Sequence, residues 1–272
     1  MRTHPCILTV AGSDSGGGAG IQADLKTMTV LGGFGMSVIT ALTAQNGLGV
    51  TGIHAPDTGF LRTQLRAVLD GFPVRAAKTG MLFSAPIIET VCAELHDRPF
   101  PLVVDPVCVS QSGHKLLRDD AVAALREVMI READLLTPNK PEAELLSGVE
   151  IRSLDDLRSA AKTLLDLGAR AVLIKGGHFD GEAGSDKTTL TDWLALPGQD
   201  VMALSHPRVD TINNHGTGCT LSAAIATFLG QGLDLADAVR RAQAYLDICL
   251  KHSYTPGKGV GPVNHAAPWE AD

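Results

Sequence analysis

A stretch of bare backbone meets a single thiol in Asn213-Asn214-His215-Gly216-Thr217-Gly218-Cys219, directly before the small-residue segment Thr220-Leu221-Ser222-Ala223-Ala224. A Gly-Thr-Gly turn that opens a helix brings several unpaired N–H groups to one point at the positive end of the helix dipole. A transferring phosphoryl group or an oxyanion would be held there. Cys219 falls in the first turn of that helix, where the dipole favours thiolate, so its pKa is expected below that of a free thiol. It could take the proton of an attacking hydroxyl or simply line a pocket. Gly216, Thr217, Gly218 and Cys219 form the candidate catalytic set. Phosphoryl transfer needs chiefly positioning and charge stabilisation, so the amides matter more than the base.

The rest of the chain supplies charges to match. Asp105 ends an apolar run and precedes Pro106, and Glu142 opens a helical stretch in Asn139-Lys140-Pro141-Glu142. Magnesium is held by one or two carboxylates together with phosphates. Taken alone, Glu142 reads as an ordinary helix cap; with Asp105 at a neighbouring strand end, the pair reads as metal-binding. Lys175 closes another apolar run before Gly176-Gly177-His178, and a lysine there is costly to bury unless an anion such as a nucleotide phosphate pairs with it. His178 carries no assignment. Gly16-Gly17-Gly18-Ala19-Gly20 precedes a helix and can present amides to a phosphate or a polar ring, or serve packing alone. Gly18 to Ala23 matches the dinucleotide pattern G-x-G-x-x-A, but no acidic residue lies between Asp24 and Asp57 to hold a ribose. No Walker A sequence occurs, Gly257-Lys258 being followed by Gly259.

These residues need a frame. Apolar runs at Cys6–Ala11, Met36–Ala44, Val74–Lys78, Leu102–Asp105, Ala133–Thr137 and Ala171–Lys175 read as strands. Helical stretches at 19–31, 58–70, 84–97, 119–130 and 153–167 separate them. Strands apolar throughout, each followed by a helix, imply a mainly parallel α/β sheet covered on both faces. Thr188–Leu196 and Val201–Leu204 read as a hairpin or edge pair, Gly181–Lys187 as the mobile loop, and 218–229 and 234–252 as closing helices. No linker or repeat divides residues 1–272, which read as a single domain. Open parallel sheets bind ligands beyond the carboxyl ends of their strands, where every polar signal above falls.

Bulk composition narrows the classes. A net charge of −7 argues against nucleic acid or an anionic membrane surface as partner. The five cysteines are scattered without a Cys-x-x-Cys pair, as in a reduced cytoplasmic protein. No apolar run reaches the ~18 residues of a membrane span, and the run after Met1 is too short for a signal peptide.

The segments Ala11-Gly12-Ser13-Asp14-Ser15-Gly16 through Lys26, Thr40 to Asn46, Lys78-Thr79-Gly80-Met81-Leu82, Thr137-Pro138-Asn139, Lys175-Gly176-Gly177-His178 and His215 to Thr220 occur in order along nearly the whole chain. Together with the tail from Gly257 to His265, they resemble the ribokinase-like family, most closely its hydroxymethylpyrimidine and hydroxymethylpyrimidine-phosphate kinases of thiamine biosynthesis. The resemblance implies a three-layer sandwich and an ATP- and Mg2+-dependent kinase acting twice. It would phosphorylate 4-amino-5-hydroxymethyl-2-methylpyrimidine and then its monophosphate; pyridoxal kinases of the same fold are the alternative. It implies Cys219 as catalytic residue, Gly216–Gly218 as anion hole, Gln45 on the pyrimidine edge, and Gly12, Ala19, Met81 and Val107 as pocket walls. Asn139, Lys175, Asn213 and Glu142 would serve ATP and its metal, and a homodimer is expected by analogy. Two departures stand out. Cys108 and Gln111 replace the Met and Lys frequent in relatives, the first giving a smaller wall residue and the second removing a positive charge near a phosphorylated acceptor.

Overall fold

The computed structural model describes residues 4–108, 117, 119–176 and 188–270. Nine strands form one sheet in the order β3-β2-β1-β4-β5-β6-β7-β8-β9. They are β1 (Cys6–Asp14), β2 (Phe34–Asn46), β3 (Gly49–His54), β4 (Val74–Thr79), β5 (Leu102–Val104), β6 (Leu135–Leu136), β7 (Val172–Ile174), β8 (Thr189–Ala195) and β9 (Met202–Pro207). The six from β2 to β7 in that order, β3 excluded, run parallel; β3 pairs antiparallel with β2, and β8 and β9 close the other side as an antiparallel hairpin.

The helices are α1 (Gly20–Val30), α2 (Thr58–Gly71), α3 (Ala85–Leu95), α4 (Asp119–Ala124), α5 (Ile130–Glu132), α6 (Lys140–Ser147), α7 (Leu154–Asp166), α8 (Thr217–Gly230), α9 (Leu235–Lys251) and α10 (Ala267–Glu270). A π turn over Leu125–Met129 joins α4 to α5. Side-chain alternation along the strands sorts them into two layers. Leu8, Val10, Ala77, Val104, Leu136, Val172 and Ile174 pack with α2, α3, α4, α6 and α7. Ile7, Ala76, Val103, Leu135 and Leu173 face α8 and α9. The expected mainly parallel sheet with helices on both faces is present. No described helix is long and apolar enough to cross a membrane.

Differences from expectation lie at edges. β3 was not anticipated: its Gly-Val-Thr-Gly-Ile-His sequence is half-exposed throughout, so burial imposes no apolar alternation on it. β1 runs on through Gly12 to Asp14 because α1 starts only at Gly20, and a register shift at Ala11/Gly12 carries its end toward β2. The stretch 119–130 is not one α-helix, being broken by the π turn. The loop at 181–187, together with Gly177, His178 and Gln111, lies outside the described residues.

Candidate active site

The carboxyl ends of the parallel strands open into a cavity of about 690 Å³. On its β2–β1–β4 side stand Gln45, Gly12, Ala19 and Met81; Val107, Asn139, Glu142 and Lys175 stand on the β5–β6–β7 side. Gly216, Thr217, Gly218 and Cys219, from the start of α8, face the same space.

The α8 entrance is built to admit an anion. Gly216, its N-cap, has φ of 85°, and a Cβ there would overlap the Gly18 carbonyl oxygen, so only glycine fits. Thr217 N–H donates to Asn214 O at 3.3 Å and Thr220 N–H to Gly216 O at 2.8 Å. The amides of Gly218 and Cys219 fall in the first turn, where no intrahelical carbonyl is available. A Cβ on Gly218 would lie 3.4 Å from both Asp105 Oδ2 and Lys175 Nζ, so the turn sits directly over that ion pair. The chain tail braces the turn from behind: His215 N–H donates to Gly261 O at 3.2 Å, and Gly261 N–H donates to Asn213 Oδ1 at 2.9 Å.

Asp105 leaves β5 and is buried to 3 % exposure. Its Oδ1 accepts from Lys175 Nζ at 2.9 Å and from Thr137 Oγ1 at 3.3 Å, and its Oδ2 from Ser222 Oγ at 3.4 Å. Burial would lower the Lys175 pKa, but Asp105 and Glu142 outweigh it, so the amine stays charged. Glu142 is more committed. Its Oε2 accepts from Asn139 N–H at 2.9 Å and its Oε1 from Cys108 N–H at 3.3 Å, while Asn139 Oδ1 caps α6 through Glu142 N–H. The capping function is therefore realised for both residues, and burial pushes the Glu142 carboxyl up to about 7. Among the described residues no three His, Cys, Asp or Glu side chains are placed to hold a metal ion by themselves. Asp105, with one oxygen weakly engaged, suits a cation that brings its own phosphates.

Three expectations change. Cys219, far from having a lowered pKa, is pushed up to about 11: burial outweighs the Lys78 charge that favours thiolate, and Asp24 and Asp105 add to the rise. Asn213 does not reach the cavity; its Oδ1 accepts from Thr255 Oγ1 and Gly261 N–H, which makes it an anchor for the tail. Cys108 is not a wall residue either. It is buried beside Pro106, its thiol donating to the Pro106 carbonyl at 3.0 Å.

Other residues belong to the site although sequence reasoning gave them no role. Asp14 gathers the glycine-rich loop: Oδ1 accepts from Gly16 N–H at 2.8 Å, and Oδ2 from Gly18 and Ala19 N–H at 3.0 and 2.8 Å. Asp14 also bonds His215 Nε2 at 2.9 Å, tying the loop to the α8 entrance. Both signals were visible, Asp14 as the acid after Gly12-Ser13 and His215 as the residue before Gly-Thr-Gly. Lys78 lies on the other side of the strand ends, its Nζ 3.0 Å from where a Gly80 Cβ would stand and paired with Asp24 at 2.9 Å.

Amides at a helix entrance, a lysine–aspartate pair beneath them and a ring-sized space beside them define a small-molecule kinase of the ribokinase-like fold. Solved structures agree. The chain superposes on an ADP complex of Bacillus subtilis pyridoxal kinase with a TM-score of 0.87 at 34% identity, covering 98% of this chain and 100% of that one. With Clostridium difficile phosphomethylpyrimidine kinase the TM-score is 0.77 at 40% identity, over 89% and 98% of the two chains. The phosphomethylpyrimidine kinase family model matches residues 14–264, and the chain belongs to that family. It is 45% identical to the hydroxymethylpyrimidine/phosphomethylpyrimidine kinase of Haemophilus influenzae over 96% of each chain. It is also 49% identical to a thiamine biosynthesis bifunctional protein of Geobacter sulfurreducens, of which it spans 52%.

Proposed function

We propose that the protein transfers the γ-phosphoryl group of ATP to 4-amino-5-hydroxymethyl-2-methylpyrimidine and then to the resulting monophosphate, giving the pyrophosphate used in thiamine biosynthesis. The observation that carries this is the unpartnered Gly218 and Cys219 amides standing over the Asp105–Lys175 pair, in the cavity that Gln45 and Met81 also line. Bound Mg2+ would neutralise phosphate charge, with Asp105 as its direct carboxylate and Glu142 behind it. The amides and Lys175 hold the equatorial oxygens of the transferring group, a task of fixed charge more than of bond chemistry. Cys219, a thiol in this site, lines the point of transfer. Gln45 addresses the pyrimidine edge while Gly12, Ala19, Met81 and Val107 enclose the ring; Asn139 stands beside the nucleotide.

By the family resemblance the enzyme is taken to act in the cytoplasm as a homodimer. Mass spectrometry of products from the hydroxymethylpyrimidine and Mg-ATP should reveal both mono- and diphosphate. Absence of both, or a higher kcat/KM for pyridoxal, defeats this reading. Pyridoxal is the rival acceptor because the pyridoxal kinase superposition covers 98% of the chain.

A further inference from the structure

Gln45 stands between two groups that constrain its amide. On one side Thr43 Oγ1 lies 3.1 Å from Gln45 Oε1 and 2.9 Å from the Ser13 carbonyl oxygen. On the other, His215 Nε2 lies 3.4 Å from Gln45 Nε2 and 2.9 Å from Asp14 Oδ2. Thr43 has one hydroxyl proton, and the Ser13 carbonyl can only accept, so that proton is spent there. Asp14 is a carboxylate: burial alone would raise its pKa, but the His215 bond and the Ala19 and Gly16 amides hold it below its usual value. His215 Nε2 therefore carries the proton of that bond.

With these two protons assigned, a Gln45 carbonyl facing Thr43 would meet only hydroxyl lone pairs, and its NH2 would meet the N–H edge of His215. Turning the amide over exchanges two atoms of nearly equal shape and removes both conflicts. Nε2 then donates to Thr43 Oγ1, and Oε1 faces His215. One N–H and one carbonyl lone pair remain for a ligand.

We propose that Thr43 and His215, the latter held by Asp14, are positioning residues that lock the Gln45 amide in this sense and thereby select the acceptor ring. The proposal rests on Gln45 facing that ring, as in the function proposed above. The ring must offer a hydrogen-bond donor to Oε1 beside an acceptor to Nε2. A 4-aminopyrimidine offers that pair, its exocyclic N–H next to N3, as an adenine edge does to a glutamine. The 4-oxo analogue offers the reverse, a carbonyl next to a protonated N3. A locked amide would leave two polar groups unpaired against it, and that penalty is the discriminating step.

The test compares kcat/KM for the 4-amino and 4-oxo forms of 5-hydroxymethyl-2-methylpyrimidine with saturating Mg-ATP. The wild type should favour the amino form by at least about a hundredfold. Thr43→Val removes the hydroxyl while keeping β-branching, and should cut this preference about tenfold, through the acceptor KM and with the ATP KM little changed. Thr43→Ser should retain the wild-type preference, and His215→Phe should lower it as Thr43→Val does. Because His215 adjoins the α8 entrance, the ratio within each variant is read, not its absolute rate. A preference unchanged in Thr43→Val, or lost equally in Thr43→Ser, overturns the proposal. A wild type that phosphorylates neither ring removes the pyrimidine reading itself and the proposal with it.

Discussion

Lys78 and Lys175 close two parallel strands of one sheet and each meets an aspartate at 2.9 Å, yet the two pairs do opposite work. Lys78 and Asp24 are fully buried; Lys78 donates to both Asp24 oxygens, and Thr9 Oγ1 adds a third bond at 2.6 Å. With neither side chain exposed, a ligand cannot reach that pair. Lys175 bonds a single oxygen of Asp105, keeps 15% of its side chain exposed, and faces the cavity under Gly218. Its remaining N–H groups, and an Asp105 Oδ2 engaged only by the 3.4 Å Ser222 contact, are open to an incoming phosphate and its cation. The chemistry of the two pairs is the same, and access decides which one is structural and which one binds.

The largest effect should come from opening the closed pair. Lys78→Met leaves the Asp24 carboxylate uncompensated in a dry environment and is expected to cost about 3–5 kcal/mol of stability in urea unfolding. Adding Asp24→Leu to Lys78→Met should recover much of that loss, since an apolar pair replaces an ionic one without stranding a charge. A Lys78→Met protein within about 1 kcal/mol of wild type would break the comparison, because it would make the enclosed pair dispensable.

At the open pair the balance should invert. Lys175→Met is expected to lower kcat/KM for ATP by about 10²–10³-fold, the scale of losing one preorganised charge donor. Its cost in stability should be smaller than that of Lys78→Met, since Asp105 keeps Thr137 and Ser222 as partners. Steady-state kinetics with unfolding curves on the same preparations decides it. A variant that is destabilised as much as Lys78→Met but turns over normally would place Lys175 with the structural group.

Cys219 sharpens the contrast, lying between the two pairs. With its thiol pushed up to about 11, alkylation by iodoacetamide should be slow at neutral pH and rise about tenfold per pH unit toward pH 10. A rate that levels off near pH 7 would restore a standing thiolate and with it the role of base. Cys219→Ala should accordingly lower kcat far less than Lys175→Met does, the backbone amides remaining in place. A loss of kcat as large as that of Lys175→Met at unchanged ATP affinity would return the thiol to a catalytic role.

Sequence made both members of the open pair legible as ligand-facing residues, though not as partners, and left the closed pair silent, for one physical reason. Lys175 and Asp105 end short apolar strands beside glycine and proline, so their charge at a strand end asks for a partner outside the strand. Lys78 ends such a strand too, but its partner Asp24 lies within α1, 54 positions away, on a helix whose sequence gives no sign of which face is buried. The parallel core strands and the α8 entrance could be read because burial on both faces forces apolar runs and the turn forces glycine. β3 could not, because an exposed edge imposes no pattern. Cys219 was misread in charge because helix position is local and visible, whereas burial depends on β1, α1 and α8 meeting in three dimensions.

His206 on β9 tests whether access alone orders these sites, being neither closed nor fully open. Its Nδ1 lies 3.0 Å from Asp247 Oδ1 on α9, and its Nε2 3.7 Å from Asp192 Oδ2 on β8. Asp192 also accepts from Gly176 N–H at 2.8 Å and from Gln243 Nε2 at 2.8 Å, so the cluster adjoins the turn after Lys175. Burial would lower the imidazole pKa, but the Asp247 bond and the charges of Asp192 and Asp247 outweigh it and raise it. A folded-state pKa above the unfolded value of about 6.5 means the stabilisation is complete below that pH and fades as pH rises through the folded value. Wild-type stability should therefore decline more between pH 6 and 9 than that of His206→Gln, by about 1 kcal/mol. The difference between the two proteins should be largest at the acid end. Parallel pH profiles would show that the imidazole carries no charge-dependent stability, with Asp192 held by Gly176 and Gln243 without it.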